Sequence, residues 1–186
     1  MKTKGIAVYG GSSNSVNRVY LEAAYQIGQE IAKRGWRLVN GSGDTGMMGA
    51  ATRGAQSGGG ETIGIAPYFF NTPGILYNKG EDTIFTRTMR ERKAFMESLS
   101  SAFITTPGGI GTLEEFYEIL TLKQLEQLDA PLILLNLGGY YDSLLKAMED
   151  MKEAGFIHES VFSLFTVTDS VEETFKVLEE AFASKS

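Results

Sequence analysis

Two patterns of apolar residues alternate along the chain. One is a short run in which nearly every position is apolar; the other is a longer stretch in which apolar residues recur every three or four positions. The short runs read as strands at Gly5–Tyr9, Arg37–Asn40, Thr62–Ala66, Ala102–Thr105, Leu132–Asn136 and Leu164–Thr168, with a less apolar one at Thr83–Thr86. The periodic stretches read as helices at Arg18–Arg34, Met47–Ser57, Met89–Leu99, Thr112–Leu128, Tyr140–Ala154 and Val171–Ala183. Continuously apolar strands suit a parallel sheet covered on both faces. The β-α-β alternation therefore predicts an α/β fold, an open doubly wound and mainly parallel sheet with helices on both faces. Residues 1–186 read as one nucleotide-binding domain, without repeats or linkers. The longest irregular stretch, Pro67–Asp82, is aromatic and is expected to lie over a site.

Glycine marks where such a site would be. Three strand-to-helix turns are glycine-rich: Gly10-Gly11-Ser12-Ser13, Gly41–Gly46 and Pro107–Thr112. In an open parallel sheet all three open on the edge where ligands bind. Glycines let backbone N–H groups turn toward an anion, and a helix N-terminus adds its dipole. Three such turns on one edge point to a phosphate or nucleotide; one alone would mean only a tight turn. The middle turn fits G-x-G-x-x-G, but it follows the second strand. The residue twenty positions on, Glu61, precedes the third strand, so the acid a dinucleotide ribose requires is misplaced.

Composition narrows the ligand. With 17 Lys and Arg against 23 Asp and Glu, the net charge of −6 argues against a nucleic-acid polymer, though not against one small anion. The absence of cysteine excludes disulfides and thiol catalysis. The four-residue apolar run near the N-terminus is too short for a signal-peptide core, and no stretch approaches a membrane span. A cytoplasmic protein without membrane contact is the resulting expectation. The sole histidine, His158, has no companion for a zinc site and reads as a local hydrogen-bonding residue; Trp36 reads as packing.

The segment TMRERKAFMESL carries two cations where burial is expected. At helical spacing Met89, Arg92, Lys93, Met96 and Leu99 share a face. Buried charge is costly unless paired, so Arg92 and Lys93 either snorkel to solvent or face an anion. Arg92, with a directed fork of donors, is the stronger candidate. In TTPGGIGTLEEF, Glu115 also admits two readings. Thr112-Leu113-Glu114-Glu115 is a capping-box sequence, yet Glu115 falls on a more inward face than Glu114. Ser170–Glu173 is a second such box.

These elements together resemble the Lonely Guy (LOG) family of cytokinin riboside 5′-monophosphate phosphoribohydrolases, many of which carry the older label of possible lysine decarboxylase. PGGIGTLEE matches its P-G-G-x-G-T-x-x-E signature, MRERK its M-x-x-R-K element, and GSGDTGMMG is similar to its G-G-G-x-x-G-L-M-G loop. The resemblance runs from Ile6 to Leu178. It implies a Rossmann-like homodimer or larger homo-oligomer that hydrolyses the N-glycosidic bond of a nucleoside 5′-monophosphate, giving free base and ribose 5-phosphate. It implies Arg92 and Glu115 as the catalytic pair. No cofactor or metal is expected. Phosphate or substrate contacts are expected from Gly11 and Ser12, Gly43 and Gly46, Met89 and Lys93, and Gly108, Gly109, Gly111 and Thr112. Ser42 departs from the glycine triplet, Thr88 and Arg90 stand where many relatives have Asp and His, and Leu122 replaces a tryptophan of plant-type members. A nucleotide carrier without catalysis would use the same loops but not need Glu115. A pyridoxal-phosphate decarboxylase would need a lysine with supporting partners, and Lys93 stands alone.

Overall fold

The structure is a computed structural model and describes residues 3–72, 74–77 and 82–184. Among these residues seven strands form one sheet: β1 (Gly5–Tyr9), β2 (Arg37–Asn40), β3 (Thr62–Pro67), β4 (Asp82–Thr86), β5 (Ala102–Thr105), β6 (Leu132–Leu135) and β7 (Thr166–Thr168). Its order is β4-β3-β2-β1-β5-β6-β7, and every neighbouring pair is parallel. Among the described residues six α-helices connect or follow the strands: α1 (Arg18–Lys33), α2 (Gly46–Ser57), α3 (Met89–Ser98), α4 (Ile110–Gln124), α5 (Asp142–Glu153) and α6 (Val171–Ala183).

Alternating strand residues build two cores, as a parallel sheet covered on both faces requires. Ile6, Val8, Leu38, Ile104 and Leu135 pack with Ile27 and Ile31 of α1, Ala51 and Ala55 of α2 and Phe175 and Leu178 of α6. Ala7, Tyr9, Val39, Ile65, Phe103 and Leu134 face the other way, against Met96 of α3, Phe116, Ile119 and Leu120 of α4 and Met148 of α5. Trp36 stacks on Phe175 and meets Phe182 edge-on at the rim of the first core. Sheet order reverses direction between β1 and β5, so the loops after these strands diverge there and leave a crevice.

The elements follow the predicted ones with instructive shifts. Helix α4 begins at Ile110 rather than Thr112, because Gly109, extended at φ −97° and ψ −153°, is the N-cap. The capping-box reading of Thr112–Glu115 is thereby corrected: Thr112 lies inside the first turn, and no side chain caps this helix. The Ser170 box is real, with Glu173 N–H donating to Ser170 Oγ at 3.2 Å. Helix α4 ends at Gln124, not Leu128, since Glu126 takes a left-handed φ of 57°. The short 3-10 segment Leu137–Gly139 is kinked by Gly138 and Gly139, also left-handed, and α5 starts only at Asp142. A 3-10 turn at Glu159–Ser163 shortens β7 at its start; His158 Nδ1 accepts there from Ser160 N–H at 3.2 Å. The irregular stretch Pro67–Asp82 contains a 3-10 turn at Tyr68–Phe70; its residues 73 and 78–81 lie outside the described residues.

Candidate active site

Helix α3 starts cleanly because Thr88 and Glu91 form a reciprocal cap. Thr88 Oγ1 accepts from Glu91 N–H at 3.1 Å, and Glu91 Oε2 accepts from Arg87 N–H at 2.8 Å. One turn in, Arg92 points beneath the sheet edge and is only 6% exposed. Its Nε donates to the Ile65 carbonyl at 3.0 Å and its Nη1 to Glu115 Oε1 at 2.9 Å. Room for this guanidinium comes from Gly41. A Cβ there would stand 2.0 Å from Arg92 Nη2 and 3.0 Å from Met48 Sδ.

Glu115 comes from the second turn of α4. Burial raises its carboxyl pKa, and the Arg92 charge works against that rise without cancelling it. A desolvated carboxylate against a fixed cation is poor stability design, since desolvation offsets the attraction, but it is an effective electrostatic site. Tyr9 lies near the pair, its phenol held well above its ordinary pKa by burial and by Glu115.

Above the pair opens a cleft of about 330 Å³. Gly11, Ser12, Met89, Arg92, Gly109, Gly111, Thr112 and Glu115 line it, joined by Gly10, Met48, Phe70, Ile110 and Glu114. Eight of the residues expected at the site are thus brought together. Phe70 belongs to the aromatic stretch expected over it. At one end of the cleft is the start of α4. Among the described residues the N–H groups of Gly109, Ile110, Gly111 and Thr112 have no acceptor. These are the donors a helix leaves unsatisfied, and they concentrate its positive potential.

Four expected residues stand elsewhere. Lys93 is held by Glu114 and by Glu118, the latter at 2.9 Å, away from the cleft. Burial acts to lower its pKa, but the two carboxylates prevail and raise it. An ammonium so stabilised is badly suited to Schiff-base formation. Gly43 forms an isolated bridge with Leu76. Gly46 sits behind the wall: its N–H donates to Asn14 Oδ1 at 2.8 Å, and a Cβ would lie 2.3 Å from the Gly11 carbonyl oxygen. Gly108 lines a neighbouring hollow of about 270 Å³ with Val16, Tyr20 and Tyr140. Sequence reasoning passed over Gly41, whose only signal was its place in the glycine pattern, and the apolar wall of Met48 and Phe70.

Among the described residues no group of three His, Asp or Glu could hold a metal ion. No helix among them is long and apolar enough to cross a membrane.

The chain is similar to known proteins along most of its length. A family model described as possible lysine decarboxylase matches residues 48–178. A cytokinin riboside 5′-monophosphate phosphoribohydrolase of Arabidopsis thaliana is 37% identical over 179 residues, covering 96% of this chain and 83% of the relative. A protein of the same name from Mycobacterium tuberculosis is 33% identical over 171 residues, covering 92% and 91%. Among solved structures, the molybdenum cofactor binding protein of the phototrophic bacterium Rippkaea orientalis superposes with a TM-score of 0.75 at 25% identity, covering 98% of this chain and 99% of that one.

Proposed function

Since the chain belongs to the possible lysine decarboxylase family, together with the cytokinin riboside 5′-monophosphate phosphoribohydrolases it resembles, we propose that it is an N-glycosyl hydrolase acting on a nucleoside 5′-monophosphate of the AMP or cytokinin riboside type. The observation that carries this reading is the pairing of buried Arg92 with partly buried Glu115, facing a cleft with uncapped N–H donors at the start of α4. The phosphate occupies those donors, and its binding orients the ribose over the pair. As the glycosidic bond breaks, positive charge grows on the ribose ring. Glu115 stabilises that charge and orients the attacking water, its raised pKa suiting it to accept a proton. Arg92 fixes the carboxylate. Ordinary glycosidases use a second carboxylate. Of Asp44 and Glu114, only Glu114 lines the cleft; Asp44 interacts with Arg53 outside it.

The same proposal includes a cytoplasmic setting and assembly into a homodimer or larger. Exposed Met89 and Ile110 at the cleft, and exposed Phe95 on α3, offer apolar surface for such assembly.

The test is a panel of nucleoside monophosphates and the matching nucleosides, with free base read by chromatography. Base release from a monophosphate, lost without the phosphate, is the expected result. Glu115→Gln should keep the fold and bind AMP but lose most turnover. Near-normal base release by that variant would overturn the catalytic assignment. Binding of monophosphates with no base released from any of them would favour a carrier.

A further inference from the structure

The turn after β5 exposes its N–H groups because its carbonyls are occupied from behind. Tyr141 Oη donates to the Thr106 carbonyl at 2.7 Å, Gly11 N–H to the Pro107 carbonyl at 3.2 Å, and Tyr140 Oη to the Gly108 carbonyl at 2.8 Å. Three consecutive carbonyls are therefore tied down by donors from other segments. The third matters most, because the 108–109 peptide lies between two glycines. A Gly-Gly peptide meets little steric resistance to rotation, so nothing in its own side chains selects which way it faces.

We propose that Tyr140 is a positioning residue for the phosphate end of the cleft: its hydroxyl fixes the Gly108–Gly109 peptide so that Gly109 N–H faces the ligand. This rests on the phosphate reading above. In a trans peptide the carbonyl and the following N–H point in opposite directions. Gly109 is part of the partition between the cleft and the neighbouring hollow, and Tyr140 lies on the hollow side. With the carbonyl drawn toward Tyr140, the Gly109 N–H is directed into the cleft. Turned over, the same peptide would present an oxygen to an anion.

The tyrosine is itself held. Its ring meets Tyr20 and Tyr141 edge-on, at 5.6 and 4.9 Å between centroids. Asn136 accepts from Tyr141 N–H at 2.6 Å and donates to Asp142 Oδ1 at 2.8 Å, which fixes the backbone next to it. Replacing Tyr140 by phenylalanine keeps the ring contacts and removes one donor.

The experiment measures calorimetric binding of inorganic phosphate, AMP and adenosine to the wild-type protein and to Tyr140→Phe, with thermal melts of both. Loss of one net hydrogen bond predicts roughly three- to tenfold weaker binding of phosphate and AMP, with adenosine binding unchanged and the melting temperature lowered by no more than a few degrees. In turnover, KM for AMP should rise while kcat stays near wild type. Equal phosphate affinity in the two proteins, or equal weakening for AMP and adenosine, would overturn the role. If the wild type binds neither phosphate nor AMP, the phosphate reading fails and this role with it. If it binds AMP but releases no base, only the hydrolase reading fails, and the comparison still decides the role of Tyr140.

Discussion

Gly41→Ala should cripple turnover although it replaces neither Arg92 nor Glu115, the proposed catalytic pair. The added Cβ would stand 2.0 Å from Arg92 Nη2 and 3.1 Å from Cζ, whereas real contacts of this kind are essentially never under 3.0 Å. The guanidinium must therefore retreat by about 1 Å in a buried site where the Ile65 carbonyl and Glu115 already hold it. Gly41 does not occupy the left-handed region, so alanine brings steric overlap and no backbone strain. Overpacking of this kind costs about 1–3 kcal/mol. In a chain of this size that lowers Tm by roughly 2–12 °C. The effect on catalysis is larger, since a misplacement of this order in a preorganised site costs about a hundredfold in rate. The assay is steady-state release of base from AMP, run below the melting transition. It should show kcat reduced about a hundredfold and KM little changed, because the phosphate donors at the start of α4 lie apart from the overlap. A folded Gly41→Ala protein turning over AMP at the wild-type rate would refute the argument that the bare glycine sets the position of Arg92.

Gly111→Ala should separate stability from binding in the opposite sense. A Cβ at Gly111 meets nothing within 4 Å, and alanine in a helix is favoured over glycine by up to about 1 kcal/mol. The melting temperature should hold or rise, while the methyl group beside the N–H donors raises KM for AMP. Gly46→Ala should damage the fold: φ is +63° and the Cβ would lie 2.5 Å from Ser12 carbonyl carbon, so urea denaturation should show a loss of at least about 2–4 kcal/mol. The acid limb of kcat/KM should lie above the ordinary carboxylate range, because burial raises Glu115 and the required carboxylate is lost on protonation. The matching stability effect has a definite sign. A raised native pKa means the folded protein binds this proton more tightly than the unfolded chain, so the contribution is full at low pH and is lost as pH rises through the native value. Lowering the pH should therefore raise the Tm of the wild type relative to Glu115→Gln.

The fold was legible because the strands are apolar on two faces and the turns carry glycine, so pattern and tertiary structure agree. The start of α4 was not. Thr112-Leu113-Glu114-Glu115 satisfies the capping pattern, yet Gly109 caps with backbone alone and Glu115 turns to Arg92 instead. The local rule fails where the helix end is left open toward the cleft. Arg92 and Glu115 could be singled out because each lies on the inward face of its own helix. Lys93 lies on the same face as Arg92 by periodicity, but its partners Glu114 and Glu118 come from a different helix and only the assembled fold reveals them. Tyr140 carried no signal beyond its place near a helix start, because its role lies in a hydrogen bond to a residue 32 positions away.

The glycines of Gly41–Gly46 do something different from those of Pro107–Thr112, although both turns suggest anion binding. In the first turn and at the helix start after it four donors are occupied: Ser42 N–H by Asn40 Oδ1, Asp44 N–H by the Ile75 carbonyl, Gly46 N–H by Asn14 Oδ1 and Met47 N–H by the Gly11 carbonyl. What glycine contributes there is the absence of a side chain, under Arg92 at Gly41 and against Gly11 and Ser12 at Gly46. In the second turn the carbonyls are occupied, by Tyr141, Gly11 and Tyr140, and the donors after them have no acceptor among the described residues. A glycine pattern alone does not distinguish these cases. The distinction lies in which groups of each turn the rest of the fold has already bonded: the first turn makes room for the Arg92–Glu115 pair, and the second leaves the donors at the start of α4 open to the cleft.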